Sequence, residues 1–271
     1  MAEITAKLVN ELRSKTSLGM MECKKALAET GGDIEKAIDY FRKKGVKTSI
    51  TERAATEGRV AIAISPDHKH GVIIEINCNT DFTAKSEPVA KIAASAAAKL
   101  LSNPKANLAE DASIKSELVS VSQQTGENVQ IGRSVSLATE SGSIGSYLYT
   151  VAGKGKSAVL MSLAGKADED LFRNVGMHIV AARPLAMTRQ DVSPEIVARE
   201  KDIAVEQAKA TGKPQEIAEK IAIGKLNSFY AEKVLLDQEY INPEVFKGSV
   251  ANFLKSKGAT LEKYVRLEVG Q

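Results

Sequence analysis

The sequence predicts an α+β fold: three short helices, then two small antiparallel sheets each covered by helices, with an antiparallel helical hairpin set into the second half. Three observations predict it. Apolar residues recur at three- and four-residue spacing in many segments of 10–20 residues. Period-two alternation appears in pairs of segments joined by glycine-containing turns. The order hairpin-then-helix occurs twice, at 59–102 and 146–183.

Residues 1–45 read as three helices. Ile4, Leu8 and Leu12 recur at i+4, Met20, Cys23 and Leu27 make the next stripe, and Ile34, Ala37, Ile38 and Phe41 the third. Thr16-Ser17-Leu18-Gly19 and Gly31-Gly32 separate them, Asp33 is an N-cap and Gly45 a stop. A bundle this small is marginal alone, so its expected job is adhesion to something else. Residues 46–58 are polar, carry no period and read as a linker.

Val60, Ile62 and Ile64 alternate with Ala61 and Ala63; the turn Pro66-Asp67-His68-Lys69-His70-Gly71 follows, and Val72, Ile74, Ile76 and Cys78 return as a second strand. Glu87-Pro88 opens a helix whose buried face is Val89, Ile92, Ala93, Ala96 and Leu100. A helix over 112–124 (Ile114, Leu118, Val121) leads through Gly126-Glu127-Asn128 to a strand at 129–137, weakened by Gly132. Ser146–Val151 and Ala158–Leu163 form the second hairpin, and a helix over 168–182 carries Leu171, Val175 and Ile179. Ser193-Pro194-Glu195 starts one arm of the helical hairpin, Gly212-Lys213-Pro214 turns it, and the other arm runs to Tyr230. Its seam is expected from Ile196, Ile203, Ile217 and Ile221. Ser249 caps a last helix with Val250, Phe253 and Leu254, Gly258 ends it, and Val265, Leu267 and Val269 close the second sheet. The expected division is therefore 1–54, 55–140, 141–185, 186–230 as an insertion, and 231–271 completing the segment that the insertion interrupts.

Composition narrows the function. A net charge of +3 over 271 residues gives no argument for a nucleic-acid or membrane surface. No apolar run approaches the ~20 residues of a membrane span, and the N-terminus lacks signal-peptide order. Two distant cysteines, Cys23 and Cys78, fit half-buried thiols in a reducing cytoplasm. Tryptophan is absent, so the core must be aliphatic.

One corner breaks the pattern. Glu75-Ile-Asn-Cys-Asn-Thr-Asp-Phe-Thr-Ala-Lys85 ends a strand and sets Asp81 beside Phe82 where polar groups alone are expected. Two readings are open. Phe82 folds onto its own core with Asp81 as an N-cap, or the ring is presented outward to enter a partner's pocket.

Catalytic chemistry is not apparent. Gly155-Lys156-Ser157 lacks the glycine of a phosphate loop at Thr150 and leads into a strand rather than a helix. His68 and His70 lack carboxylate or thiolate partners for a metal. Asp168-Glu169-Asp170 suits the first turn of a helix, and Arg42-Lys43-Lys44 a last turn. His178 lies near an apolar helix face and reads as a core or interface histidine. No enzyme active site, cofactor or metal is expected.

Leu12-Arg13-x-x-Thr16, Gly19-Met20-Met21-Glu22-Cys23-Lys24-Lys25-Ala26-Leu27 and Gly31-Gly32-Asp33-Ile34-Glu35-x-Ala37 resemble bacterial elongation factor Ts, and so does the Glu75–Lys85 stretch. Collinear echoes continue at Gly145-Ser146-Tyr147, Met177–Ala182, Gly212-Lys213-Pro214 and Arg266–Gly270. The resemblance implies a ubiquitin-associated-like N-terminal bundle, a core of two subdomains and a protruding helical hairpin. It implies a guanine-nucleotide exchange factor for elongation factor Tu, binding its GDP and nucleotide-free forms. Thr80, Asp81 and Phe82 would then enter the partner's GTPase domain near its magnesium, with Phe82 wedged between helices. Arg13, Met20 and Met21 would touch that domain from the N-terminal side, although the spacing of Met20 also fits the bundle core. Tyr149 and His178 are further candidate contacts, and the hairpin leaves open a second partner contact or a homo-oligomer. The sequence departs from the family pattern at Asn79 and Thr83 (commonly glutamine and valine) and at Tyr149 (commonly histidine). It also stops at Gln271, where many relatives continue with a helix whose contacts are expected to be absent or replaced. The competing readings are an adaptor working through the bundle and a metal-dependent enzyme built on Asp81 and the histidines.

Overall fold

The computed structural model describes residues 4–16, 18–44 and 54–271, without the side chains of residues 14 and 42. The linker expected over 46–58 lies outside the described residues as far as residue 53, as do Ser17 and the stop at Gly45.

Helices α1 (Ala6–Thr16), α2 (Met20–Glu29) and α3 (Ile34–Lys43) close a bundle around Leu12, Cys23, Ala26, Leu27, Ala37 and Phe41. Gly31 and Gly32 both take positive φ in the turn between α2 and α3, where a side chain would be strained. The bundle adheres to its own chain. Gln123, on α6 (Ala112–Thr125), accepts a hydrogen bond from Arg13 Nη2 and donates to the Leu18 carbonyl at 2.8 Å.

Two three-stranded antiparallel sheets follow, β1 (Glu57–Ile64), β2 (His70–Cys78) and β3 (Gln130–Ala138) in the order β1-β2-β3, then β4 (Ser143–Val151), β5 (Lys154–Gly165) and β6 (Ala259–Glu268) in the order β4-β5-β6. Their inner faces pack on each other through Val60, Ile73, Leu137, Ile144, Ala158, Leu160 and Leu267. A Cβ at Gly71 would stand 2.7 Å from Leu160 Cδ1, so the sheets approach closely there. On the outer face of the first sheet, α5 (Glu87–Ser102) and α6 bury Val72, Ile74 and Ile76. On the outer face of the second, α7 (Glu169–Ala182) and α10 (Val250–Ser256) cover Val159, Met161 and Leu163. The central strands β2 and β5 are thus buried on both faces, which explains their near-continuous apolar runs.

Several strands are longer than the sequence suggested. β1 starts at Glu57, paired with Cys78, and β6 starts at Ala259 rather than Val265. Glu262 breaks the apolar pattern of β6 because its carboxylate accepts hydrogen bonds from Thr139, Ser141 and Ser162. In β3 the register slips between Ile74 and Ile76, opposite Gly132 and Arg133. This bulge aims Arg133 at the buried Glu75 (2.9 Å) and at the Glu268 carbonyl (2.6 Å), joining the two sheets.

The hairpin of α8 (Pro194–Ala210) and α9 (Gln215–Lys233) leaves and rejoins the body at one place, where Leu185 N donates to the Lys233 carbonyl and Leu235 N to the Ala186 carbonyl. Its seam differs from expectation. Ala204, Ala208, Ala218 and Ala222 are buried, whereas Ile203 and Ile217 are exposed. Small side chains let the two helices approach closely, and the bulkier isoleucines are left outside the contact.

Candidate functional site

The Asp81–Phe82 corner is built from three supports. First, Thr80 caps a five-residue helix α4 (Asp81–Lys85), its Oγ1 accepting from Thr83 N at 3.3 Å. The N-cap is therefore Thr80, and Asp81 is the first helical residue. Second, Thr83 and Ala84 are buried, and Arg59 Nη1 donates to the Ala84 carbonyl at 3.4 Å. Third, Glu127, in the turn after α6, grips the strand end. Its Oε2 accepts from Asn79 N (3.1 Å) and Thr80 N (3.0 Å), and its Oε1 from the Thr80 hydroxyl (2.6 Å). Burial pushes the Glu127 carboxyl up, but the hydroxyls of Thr80 and Thr83 and these amides outweigh it and hold the group below the usual glutamate range.

The result is an anchored backbone with its functional groups outside. Phe82 is 80% exposed. Asp81 Oδ2 accepts from Lys85 Nζ at 2.6 Å, and the same ammonium stands 5.9 Å from the Phe82 ring centroid. That hydrogen bond, with the charge of Lys154 pulling the same way, lowers the Asp81 carboxyl below the usual aspartate range, so it is ionised at neutral pH. A surface pair of this kind contributes little to stability because water screens it, and a partner that offers Asp81 a cation can replace Lys85. An ionised carboxylate beside a large exposed ring can enter an apolar crevice and present negative charge inside it.

The other expected contacts divide. Met21 is 75% exposed and Met20 52%; Met20 opens α2 and lies on the surface, which corrects the reading of it as bundle core. Tyr149 is 44% exposed on the edge strand β4, and Val151, two residues on, is 42% exposed. Arg13 turns inward to Gln123. His178 is 1% exposed and offers no surface to a partner. The Ile241 amide donates to its Nδ1 at 3.1 Å, so Nε2 carries the proton and donates to Gln238 Oε1 at 3.0 Å. The ring also stacks on Tyr240 at 5.7 Å.

Burial lowers the His178 pKa below its ordinary 6.5, only partly opposed by the bond to Gln238. The unfolded chain therefore binds the proton first. The contribution of the neutral ring to stability is complete above about pH 6.5 and declines as pH falls from there toward the depressed folded value. Urea midpoints at pH 7.5 and 5.5 are expected to differ more for the wild type than for His178→Gln. Equal differences would show that another group carries the pH dependence.

The remaining motifs are structural. Ala152 and Gly153 take positive φ between β4 and β5, so Gly155 sits in a strand after a hairpin turn and not in a phosphate loop. His68 Nδ1 is 3.0 Å from the Ile144 carbonyl, and no group of three His, Cys, Asp or Glu among the described residues could hold a metal. Asp168 caps α7. Cys23 and Cys78 are free and fully buried rather than half-buried. Burial pushes the Cys78 thiol up to about 11, which makes it a poor nucleophile. No helix among the described residues is long and apolar enough to cross a membrane. Sequence reasoning missed Glu127, read only as part of a turn, and Lys85, whose i,i+4 spacing to Asp81 was available as a signal.

A family model described as Elongation factor TS matches residues 76–271, a span that includes the corner. Elongation factor Ts of Methylococcus capsulatus is 38% identical over 279 residues, covering 99% of this chain and 92% of that protein. The protein of the same name from Hyphomonas neptunium is 39% identical over 289 residues, covering 100% and 93%. That of Prosthecochloris aestuarii is 37% identical over 288 residues, with both chains covered to 100%.

Proposed function

The chain belongs to the elongation factor Ts family of translation elongation factors, and on that premise we propose that it is the guanine-nucleotide exchange factor of elongation factor Tu, acting through Asp81 and Phe82. The observation that carries the proposal is the exposed Phe82 ring, held beside an ionised carboxylate on an anchored five-residue helix. Phe82 enters between helices of the partner's GTPase domain, and Asp81 disturbs the groups that hold the magnesium ion. Met20 and Met21 offer an adaptable apolar contact on the N-terminal side. Tyr149, with Val151, offers a second surface on β4.

The energetics follow from linkage. A factor that favours a partner state holding GDP poorly must itself be held poorly by the GDP form, by the same ratio. A thousandfold faster release needs about 4 kcal/mol of selective stabilisation along the exit path. Burying one aromatic ring contributes about 1.5–3 kcal/mol, and weakened metal coordination supplies the rest. The chemistry asked of the factor is binding alone, so it is no enzyme in the bond-making sense. The same reading puts the protein in the cytoplasm with its partner, supported by two buried cysteines left as thiols.

The test is release of fluorescent GDP from elongation factor Tu. Micromolar factor is expected to accelerate release well above the spontaneous rate. A trace that matches the factor-free control would remove the exchange reading and favour the adaptor.

A further inference from the structure

We infer that Glu127 is a positioning residue for exchange: its carboxylate latches the end of β2 so that α4 presents Phe82 and Asp81 in their docking direction. The inference rests on the exchange reading and adds a residue outside the Asp-Phe corner itself.

The argument starts from the length of α4. Five residues cannot hold a helix in place by their own hydrogen bonds. Phe82 points into solvent, so no core contact fixes its direction. Its aim is set by how the backbone on either side of it is anchored: Thr83 and Ala84 are buried behind it, and the end of β2 is held ahead of it. At that place the Asn79 and Thr80 amides both donate to a single oxygen, Glu127 Oε2, and the other oxygen takes the Thr80 hydroxyl. That hydroxyl is also the N-cap of α4. One carboxylate therefore sets both the turn out of β2 and the start of the helix.

The latch is reciprocal. Asn79 Oδ1 accepts from Asn128 N at 2.8 Å, and Asn79 Nδ2 donates to the Ala54 carbonyl at 3.1 Å. The short asparagine side chain thus ties the turn after α6 to the corner from the opposite direction. A glutamine here would be one methylene longer and would have to meet these partners differently. The carboxylate is well suited to its place because all three of the groups it contacts at Asn79 and Thr80 are donors. An amide at 127 keeps the shape but removes the charge from all three bonds, and it either sets its NH2 against the two backbone amides or takes the acceptor away from the Thr80 hydroxyl.

The experiment has two arms. The natural chain has no tryptophan, so Phe82→Trp places a single fluorophore at the corner. Time-resolved anisotropy of the free factor then reports corner motion without any partner. Glu127→Gln in that background is expected to increase the fast depolarising amplitude. In the wild-type background, Glu127→Gln is expected to lower the maximal rate of GDP release at saturating factor by about tenfold or more, since small misplacements of a working group carry penalties of that size. Both are read well below the thermal midpoint of each variant. Glu127→Ala extends the series, and the isosteric glutamine variant decides the matter if the alanine variant does not fold. A lower midpoint with unchanged anisotropy and unchanged maximal rate shows a merely structural carboxylate and overturns the inference. So does a mobile corner with full exchange activity. If the wild type itself fails to accelerate release, the exchange reading falls, and unchanged anisotropy would then remove the latch as well.

Discussion

Phe82→Ala is expected to slow factor-catalysed GDP release by about 30- to 1,000-fold. A central aromatic anchor is worth about 2–4 kcal/mol on truncation, and each 1.36 kcal/mol is about tenfold in rate. The free protein should not notice the change. The ring is 80% exposed and the Lys85 ammonium stands 5.9 Å from its centroid, so far-UV circular dichroism and the thermal midpoint should match the wild type. That separation is the point of the experiment. A variant that loses exchange and stability together would mean that the ring serves the protein's own core in solution. One that keeps full exchange would move the work to another surface, with the Tyr149 edge the next to test.

The largest stability effect is expected at the other end of the molecule. Phe253 on α10 is fully buried, stacks on Tyr240 with ring centroids 4.3 Å apart, and meets Phe246 at 5.6 Å. It fills the space between α10 and the outer face of the second sheet. Phe253→Ala removes the transfer energy of the ring and leaves a cavity, together about 3–5 kcal/mol. For a protein of this size each kcal/mol lowers the midpoint by about 2–4 °C, so a fall of about 6–20 °C is expected by thermal melting. A fall of less than 2 °C would show that Tyr240 and Phe246 close over the gap. Because the corner lies on the first sheet, exchange by the variant at low temperature should stay near the wild-type rate. Together the two substitutions test whether interaction and stability are carried by different residues.

The regular elements were legible where one face of a segment is apolar. α5 shows this: Pro88 marks its start, and Val89, Ile92, Ala93, Ala96 and Leu100 are all buried as their spacing required. The β1–β2 hairpin was legible for the same reason. α4 was not, because five residues hold too little of a period to see. The start of β6 was hidden by Glu262, whose polar partners come from segments about 100 or more residues away. The spacing of Met20 with Cys23 and Leu27 was misleading, because helical phase says nothing about which turn of a helix lies beyond its neighbours. The isoleucines of the helical hairpin misled in a similar way, since close packing favoured the alanines.

By itself the sequence determined the α+β class, the order of helices and strands, and the placing of a carboxylate and an aromatic side by side at the end of a strand. These are local properties, written in spacing and in turn residues that act on their immediate neighbours. Only the tertiary structure decided that the two sheets face each other, that His178 is sealed inside, and that Phe82 stands outside. It also brought a glutamate 47 residues beyond Thr80 into hydrogen bonds with the strand end. Those outcomes depend on which surfaces meet after the chain has closed on itself, and burial and distant hydrogen bonds leave no period in the sequence to read.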